Sequence, residues 1–364
     1  MKYILTQSQL NAQSSLSLSN NCLIEKSIRS GKTLTLLDYI KNNKFKKVLW
    51  VVPDAEIRDN KLPDEAKKWK ISFKNITPIC YQSIHKYKNT KWDLIILDEV
   101  QKLSLTNYND ISTMTYNKLI AMTGTVPNNY LKKELLFDKL KLTVVYKFTV
   151  DDAVNSGDVS PYKINILEQP LDSKKNIKVE YTDKKTKQKK VFYTSESDSY
   201  DYISYKLDLA SGLNKKMLGL RRMRILNEFN SKINFIKNYI AKNSNKRLLI
   251  FVSNQKMAEE CSKYIYHSKT DSTWYDKFQN KEINHLVLVE KGATGHTYKD
   301  LDGCLLTAIN SENTIQQKIF RTILFRPNYV ANIDVLISKD TIQKPWILNA
   351  FKNLDPKNIN INDT

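Results

Sequence analysis

"SIRSGKT", Ser27–Thr33, ends as a phosphate-binding loop ends but lacks the glycine with which such loops usually begin. The pattern G-x-x-x-x-G-K-[ST] is informative only when a strand precedes it and a helix follows. Here the apolar run "NCLIEKSI" (21–28) leads in, a helix can start at about Lys32, and Lys26 occupies the first glycine position. Gly31 would let the backbone come close to a β-phosphate, Lys32 would supply the counter-charge, and the Thr33 hydroxyl would offer a magnesium ligand. The N-terminus of the following helix would add a favourable field for anions. Alone, "GKT" could equally be a lysine in an ordinary turn.

Two further runs narrow the choice. "WDLIILDEVQ" (92–101) is an apolar strand closing on adjacent carboxylates, which puts Asp98 where a magnesium ion can be held and Glu99 where an attacking water can be polarised. The bland alternative is a strand followed by an exposed acidic turn. "LIAMTGTVP" (119–127) is a second apolar strand, ending in Thr123, Gly124 and Thr125, whose hydroxyls can relay hydrogen bonds away from a nucleotide site.

Between residues 20 and 150 short apolar runs alternate with helical segments, and a second such series begins at "KRLLIFVS". Each series predicts a mostly parallel sheet covered by helices on both faces, so the fold class is α/β with two halves. The turn formers Gly157 and Pro161 in "DDAVNSGDVSPYK" (151–163) place the boundary there: residues 1–150 and 151–364. Early in the second half, about 171–240, lies a basic insertion. "NIKVEYT" and "KKVFYTS" flank "DKKTKQ" and read as a lysine-rich hairpin, either a solvated excursion or a nucleic-acid contact. A long helical stretch follows through "KKMLGLRRMRILNEFNSKINFIKNYIAK", with Arg221, Arg222 and Arg224 close together.

The chain has 364 residues and a formal charge of +20, so polyanions are natural partners. No apolar stretch approaches the roughly 20 residues of a membrane helix, and no secretory leader is visible at the start. The four cysteines are scattered without a C-x-x-C pair, and the histidines form no metal pattern with them. A reducing, cytoplasmic compartment is expected.

In this order the motifs resemble those of the superfamily 2 helicases and translocases. "SIRSGKT" resembles motif I, "VLWVVPDAEIRDN" motif Ia, "ITPICYQSI" motif Ib, "LDEVQ" motif II in a DExQ spelling, and "MTGT" motif III. In the second half "RLLIFVSNQKMAEE" resembles motif IV, "VLVEKGATGHTYKDLDG" motif V and "QQKIFRTILFRP" motif VI. The compact layout looks most like bacteriophage-encoded members, which would act in the host cytoplasm.

The resemblance implies two tandem RecA-like domains that use ATP and Mg2+ to translocate on nucleic acid, DNA favoured and RNA possible. Expected substrates are duplexes, branches or RNA–DNA hybrids, with a protein partner in replication or recombination possible. It implies ATP contacts from Gln9, Arg29, Ser30, Gly31, Lys32 and Thr33, and magnesium at Thr33 and Asp98. Glu99 would activate water, Gln101 would couple the site to the second domain with Thr123 and Thr125, and Gln317 and Arg321 would reach the phosphates. Pro53, Ser83, Ser253 and Thr294 would hold the nucleic-acid backbone. Motif VI departs from the family: Phe320 replaces its glycine and Leu324 its second arginine. Either Arg326 substitutes, or hydrolysis is weak and the protein acts as an ATP-gated clamp or a partner-dependent subunit. Thr297, in motif V, stands where an Asp or Asn is usual.

Overall fold

The computed structural model describes residues 3–27, 30–127, 129–182, 186–289, 298, 300–309, 312–320, 326 and 328–363. The chain divides into two compact units, Met1–Val159 and Ser160–Thr364. This division falls nine residues beyond the boundary expected from the sequence. The reason is local: Asp158 and Val159 donate their backbone N–H groups to Ala153 O at the end of the helix Val150–Asn155, and Ser8 donates to the Asp158 carboxylate.

The first unit is a six-stranded sheet, built from β1 (Asn21–Lys26), β2 (Val48–Val52), β3 (Ile76–Cys80), β4 (Lys91–Leu97), β5 (Thr115–Thr123) and β6 (Thr143–Phe148). The spatial order is β3-β2-β4-β5-β1-β6, and every described pairing is parallel. Parallel strands bury both faces, which is why "VLWVV" is apolar without alternation. Its residues still sort by the strand period of two. Trp50, Ile96 and Ile120 pack with Leu36 of the helix Lys32–Asn43, whereas Leu49, Val51, Ile95 and Leu97 face Ile84 and Leu136 on the other side.

The second unit holds a seven-stranded sheet of β7 (Tyr162–Gln169), β10 (Leu248–Phe251), β11 (Ile265–Tyr266), β12 (His285–Leu288), β13 (Gly303–Leu306), β14 (Ala331–Ser338) and β15 (Ile359–Asp363). Its order is β11-β12-β10-β13-β14-β7-β15, again with parallel pairings throughout the described strands. The expected α/β class, two mostly parallel sheets flanked by helices as in tandem RecA-like domains, is thus observed. Among the described residues no helix is long and apolar enough to cross a membrane.

The insertion contains the expected hairpin, β8 (Ile177–Thr182) paired antiparallel with β9 (Lys189–Thr194). The single helical stretch expected after it is instead two helices, Gly212–Glu228 and Asn230–Lys242, broken at Phe229, whose ψ of 140° is extended. Glu196 explains the break. Its carboxylate accepts from the Ser231 backbone N–H at 3.0 Å and from the Ser231 hydroxyl at 2.7 Å, holding the start of the second helix.

One core residue of that second helix is charged in type. Lys232 is 1% exposed, and its Nζ donates to Thr307 O and Gln343 Oε1, both at 3.3 Å. Burial lowers its pKa to about 7, against the opposing charge of Glu196. Between about pH 7 and the ordinary lysine range the unfolded chain therefore binds the extra proton, and stability rises with pH. Denaturant titrations should show wild type gaining on Lys232→Met from pH 7 to pH 10, by up to about 1.4 kcal/mol per pH unit. A gap that stays constant across that window would contradict this assignment.

Candidate functional site

The C-terminal ends of β1, β5 and β4 lie side by side, because β5 pairs with both neighbours: Glu25 is in register with Thr123, and Leu97 with Ala121. In open parallel sheets this edge is where ligands bind. The loop after β1, the hydroxyls after β5 and the carboxylates after β4 are gathered there by register alone.

The loop leads into the helix Lys32–Asn43, with Gly31 as its N-cap in the left-handed conformation, φ 75°. A side chain at this position would be strained by that φ and would put its Cβ 2.2 Å from Gln9 Nε2. The Lys32 ammonium donates to Lys26 O at 3.0 Å and reaches Ser27 O at 3.4 Å, so it caps the inside of the loop. Ser30 donates its hydroxyl to Ser27 O at 2.6 Å, a brace within the loop. The Thr33 hydroxyl has no hydrogen-bond partner among the described residues and is half-buried. Arg29 lies outside the described residues.

Gln9 is used at both ends. Its Oε1 accepts from the Thr6 backbone N–H at 2.8 Å, completing a capping box at the start of the helix Gln7–Ser15, and its Nε2 donates to Gly31 O at 3.2 Å. The same helix docks further along through Gln13, which donates to Thr35 O and to Asp38. A capping box is legible as T-x-x-Q in "TQSQ", residues 6–9, and would have placed Gln9 at a helix start. Its pairing with Gly31, 22 residues on, has no such signal.

Asp98 follows β4 directly. Burial first, then the charge of Glu99, pushes its carboxyl up to about 7, with Lys32 acting in the opposite direction. Tyr81 donates its hydroxyl to Asp98 O at 2.9 Å, and burial together with the two acids raises that phenol well above its ordinary range. A carboxylate desolvated beside another carboxylate fits a divalent cation, whose charge would restore the ionised form. Thr33, whose hydroxyl is unengaged among the described residues, would offer the second ligand type such a site needs.

Glu99 sits in the left-handed region, φ 49°. Gln101 Nε2 donates to Glu99 Oε2 at 2.5 Å, and Gln101 Oε1 accepts from the Thr123 hydroxyl at 2.8 Å. Thr123 Oγ1 in turn accepts from Thr125 N–H at 3.2 Å. Glu25 closes the end of the chain, accepting from Val126 N–H at 3.0 Å. Glu99, Gln101, Thr123 and Thr125 therefore form one continuous hydrogen-bonded path across two strand ends.

Lys26, noted in the sequence only as the residue at the first glycine position, has an environment that the sequence did not signal. It is fully buried, and its Nζ has no hydrogen-bond partner among the described residues. The ammonium sits over the Phe148 ring, 5.6 Å from its centroid. Burial lowers its pKa to about 8, with Asp158 opposing and Lys32 adding to the shift.

The other expected residues are dispersed. Pro53, at the end of β2, lines a cavity of about 570 Å³ with Tyr81, Lys102 and Asn107, and Ser83 lies half-buried on the short helix Tyr81–Tyr87. In the second unit Ser253 donates to Asn227 O at 3.0 Å. Arg326 is engaged there too: its guanidinium donates to Leu301 O at 3.1 Å, pairs with Asp302 at 3.3 Å, and stacks on Tyr329 at 3.9 Å. Phe320, at the motif VI glycine position, is 2% exposed and packs edge-on against Tyr162, which makes it a core residue. Arg321, Thr294, Thr297 and Leu324 lie outside the described residues, as does the side chain of Gln317 on the helix Glu312–Ile319.

No protein-family model and no curated protein matches the chain. Among solved structures it is similar to the ATP-dependent Type ISP restriction-modification enzyme LlaBIII bound to DNA, with a TM-score of 0.62 and 14% identity. That match covers 100% of this chain and 31% of the enzyme, so the chain spans under a third of that protein. It is also similar to the Pyrococcus furiosus Hef helicase domain, with a TM-score of 0.51 and 12% identity over 96% of this chain and 98% of that one. At such identities the likeness is one of fold: the chain shares its architecture of two mostly parallel, helix-flanked sheets with these structures.

Proposed function

We propose that the protein is an ATP- and magnesium-dependent motor of the superfamily 2 kind, which translocates on nucleic acid and separates or remodels it, with DNA favoured. The observation that carries this reading is the hydrogen-bonded path from Glu99 through Gln101 to Thr123, set beside a strand-to-helix loop in which Gly31 takes a positive φ and Lys32 caps the carbonyls of Lys26 and Ser27. The formal charge of +20 and the DNA-bound state of the similar LlaBIII structure support DNA as the track.

In this reading Lys32 leaves the loop carbonyls to meet the β- and γ-phosphates. Thr33 and Asp98 hold magnesium, which when bound neutralises charge on the phosphate oxygens. Glu99 accepts the proton of the attacking water, and Gln101 fixes the orientation of Glu99 while passing its state to Thr123. The resemblance assigns Arg321 to the γ-phosphate, where an arginine stabilises the charge of the transition state.

A second reading, an ATP-gated clamp with weak hydrolysis, is favoured by one specific observation. Arg326, the nearest substitute for the arginine missing at Leu324, already has its guanidinium on Asp302, Leu301 O and Tyr329. Hydrolysis of ATP, followed with and without single-stranded and forked DNA, decides between them. The motor predicts DNA-stimulated turnover that falls about a hundredfold or more in Lys32→Ala and Glu99→Gln. Turnover that is absent in wild type, beside ATP-dependent DNA binding, would establish the clamp.

A second test concerns the metal. Because the Asp98 carboxyl titrates near 7, protons compete with the cation below that pH, and magnesium affinity should rise from pH 6 to pH 8 and then level off. Calorimetric titration should show this rise in wild type and lose it in Asp98→Asn. A pH-independent affinity in wild type would contradict the role given to Asp98.

A further inference from the structure

One face of the hairpin β8–β9, with Ile177, Val179, Tyr181, Phe192 and Thr194, lines an open cavity of about 920 Å³ in the insertion. This is within the roughly 300–1,000 Å³ range of small-ligand sites. The hairpin contributes Tyr181 and Phe192, the helix Glu196–Asp208 contributes Asp198 and Tyr202, and the helix Gly212–Glu228 contributes Arg221. The aromatic walls are well exposed: Tyr181 46%, Phe192 48% and Tyr202 59%. Tyr181 and Phe192 meet edge to face, 5.9 Å between centroids at 70°, so one ring face stays open to a planar ligand.

The wall is also polar in part, with Glu228, Ser199 and Asn230 beside Asp198 and Arg221, and the last two bear most on the choice of occupant. Among the described residues, neither the Asp198 carboxylate nor the Arg221 guanidinium has a hydrogen-bond or ion-pair partner. An aliphatic protein segment seated here would leave both unpaired, at a cost. A nucleobase satisfies both, offering amino groups to a carboxylate and ring or carbonyl acceptors to a guanidinium, while its plane stacks on the tyrosines and phenylalanine. The surroundings are cationic: residues 171–230 carry fourteen Lys and Arg against eight Asp and Glu, and Lys206 lies over the Tyr202 ring at 5.6 Å. Such charge suits the phosphates flanking an extruded base.

We infer that this cavity is a nucleobase pocket, in which the insertion holds an unstacked base of single-stranded nucleic acid. The inference rests on the motor reading and adds a base-contacting site to it. Its test compares the binding of a single-stranded DNA oligonucleotide with that of an abasic strand of the same length, by fluorescence anisotropy. Wild type should prefer the base-bearing strand by roughly tenfold. Tyr181→Leu with Phe192→Leu, which keeps an apolar cover over the cavity, should remove that preference and leave abasic affinity unchanged. Asp198→Asn should alter the ranking of homopolymers by their amino groups.

Equal wild-type affinity for the two strands would overturn the inference. So would a preference that survives in the double leucine variant with an unchanged melting curve; that result would assign the cavity to another occupant, such as an apolar peptide. Binding to neither strand, together with hydrolysis indifferent to DNA, would remove the motor reading and the pocket with it. DNA-stimulated hydrolysis without base preference would remove the pocket alone.

Discussion

The amide of Gln101 is the joint on which the candidate site depends. It has one donor group and one acceptor, and it spends the first on Glu99 and the second on Thr123. An amide can do this when its two partners stand at its two ends, and the sheet order brings them there: the acids follow β4, the threonine ends β5, and the two strands pair in parallel register. A carboxylate left unsupported in the left-handed conformation of Glu99 would be free to turn away. With the amide in place, its orientation is tied to the end of β5, and through Thr125 to the segment beyond.

The candidate phosphate loop is held by a different logic. Gly31 is required twice, once by its positive φ and once by the side chain of Gln9 packed against it. Gln9 is itself locked by its capping box, so the first helix, the loop and the helix Lys32–Asn43 form a single braced unit. The missing first glycine has a counterpart in Lys26, whose aliphatic stem is buried where a glycine normally sits and whose ammonium lies over Phe148. The loop thus carries two cations within a few residues, and their mutual repulsion is offset by Asp158.

Much of the fold was legible. Apolar runs such as "DLIIL" and "KLIAMT" bury both faces and can hardly be anything but inner parallel strands, and the spacing of helices between them fixes the α/β class. The acid pair, the glycine-lysine-threonine end of the loop and the threonines after β5 were legible as strand-end residues for the same reason. What was not legible depends on contacts distant in sequence. Gln9 meets Gly31 through tertiary docking; Phe229 interrupts a helix-compatible stretch because Glu196, more than thirty residues earlier, captures Ser231. The cavity under the hairpin needs three separate elements to exist, so no single segment announces it. Arg326 looked available as a substitute arginine, and only its contacts with Asp302 and Tyr329 reveal that it is engaged.

The most direct test of the account is a double-mutant cycle on ATP turnover in the presence of DNA, with Gln101→Ala, Thr123→Val and the pair combined. If the amide works as a joint, either single change breaks the same path, and the double variant should turn over about as fast as the slower single one. Losses that multiply would mean that Gln101 and Thr123 act independently, which would contradict a relay from Glu99 to β5.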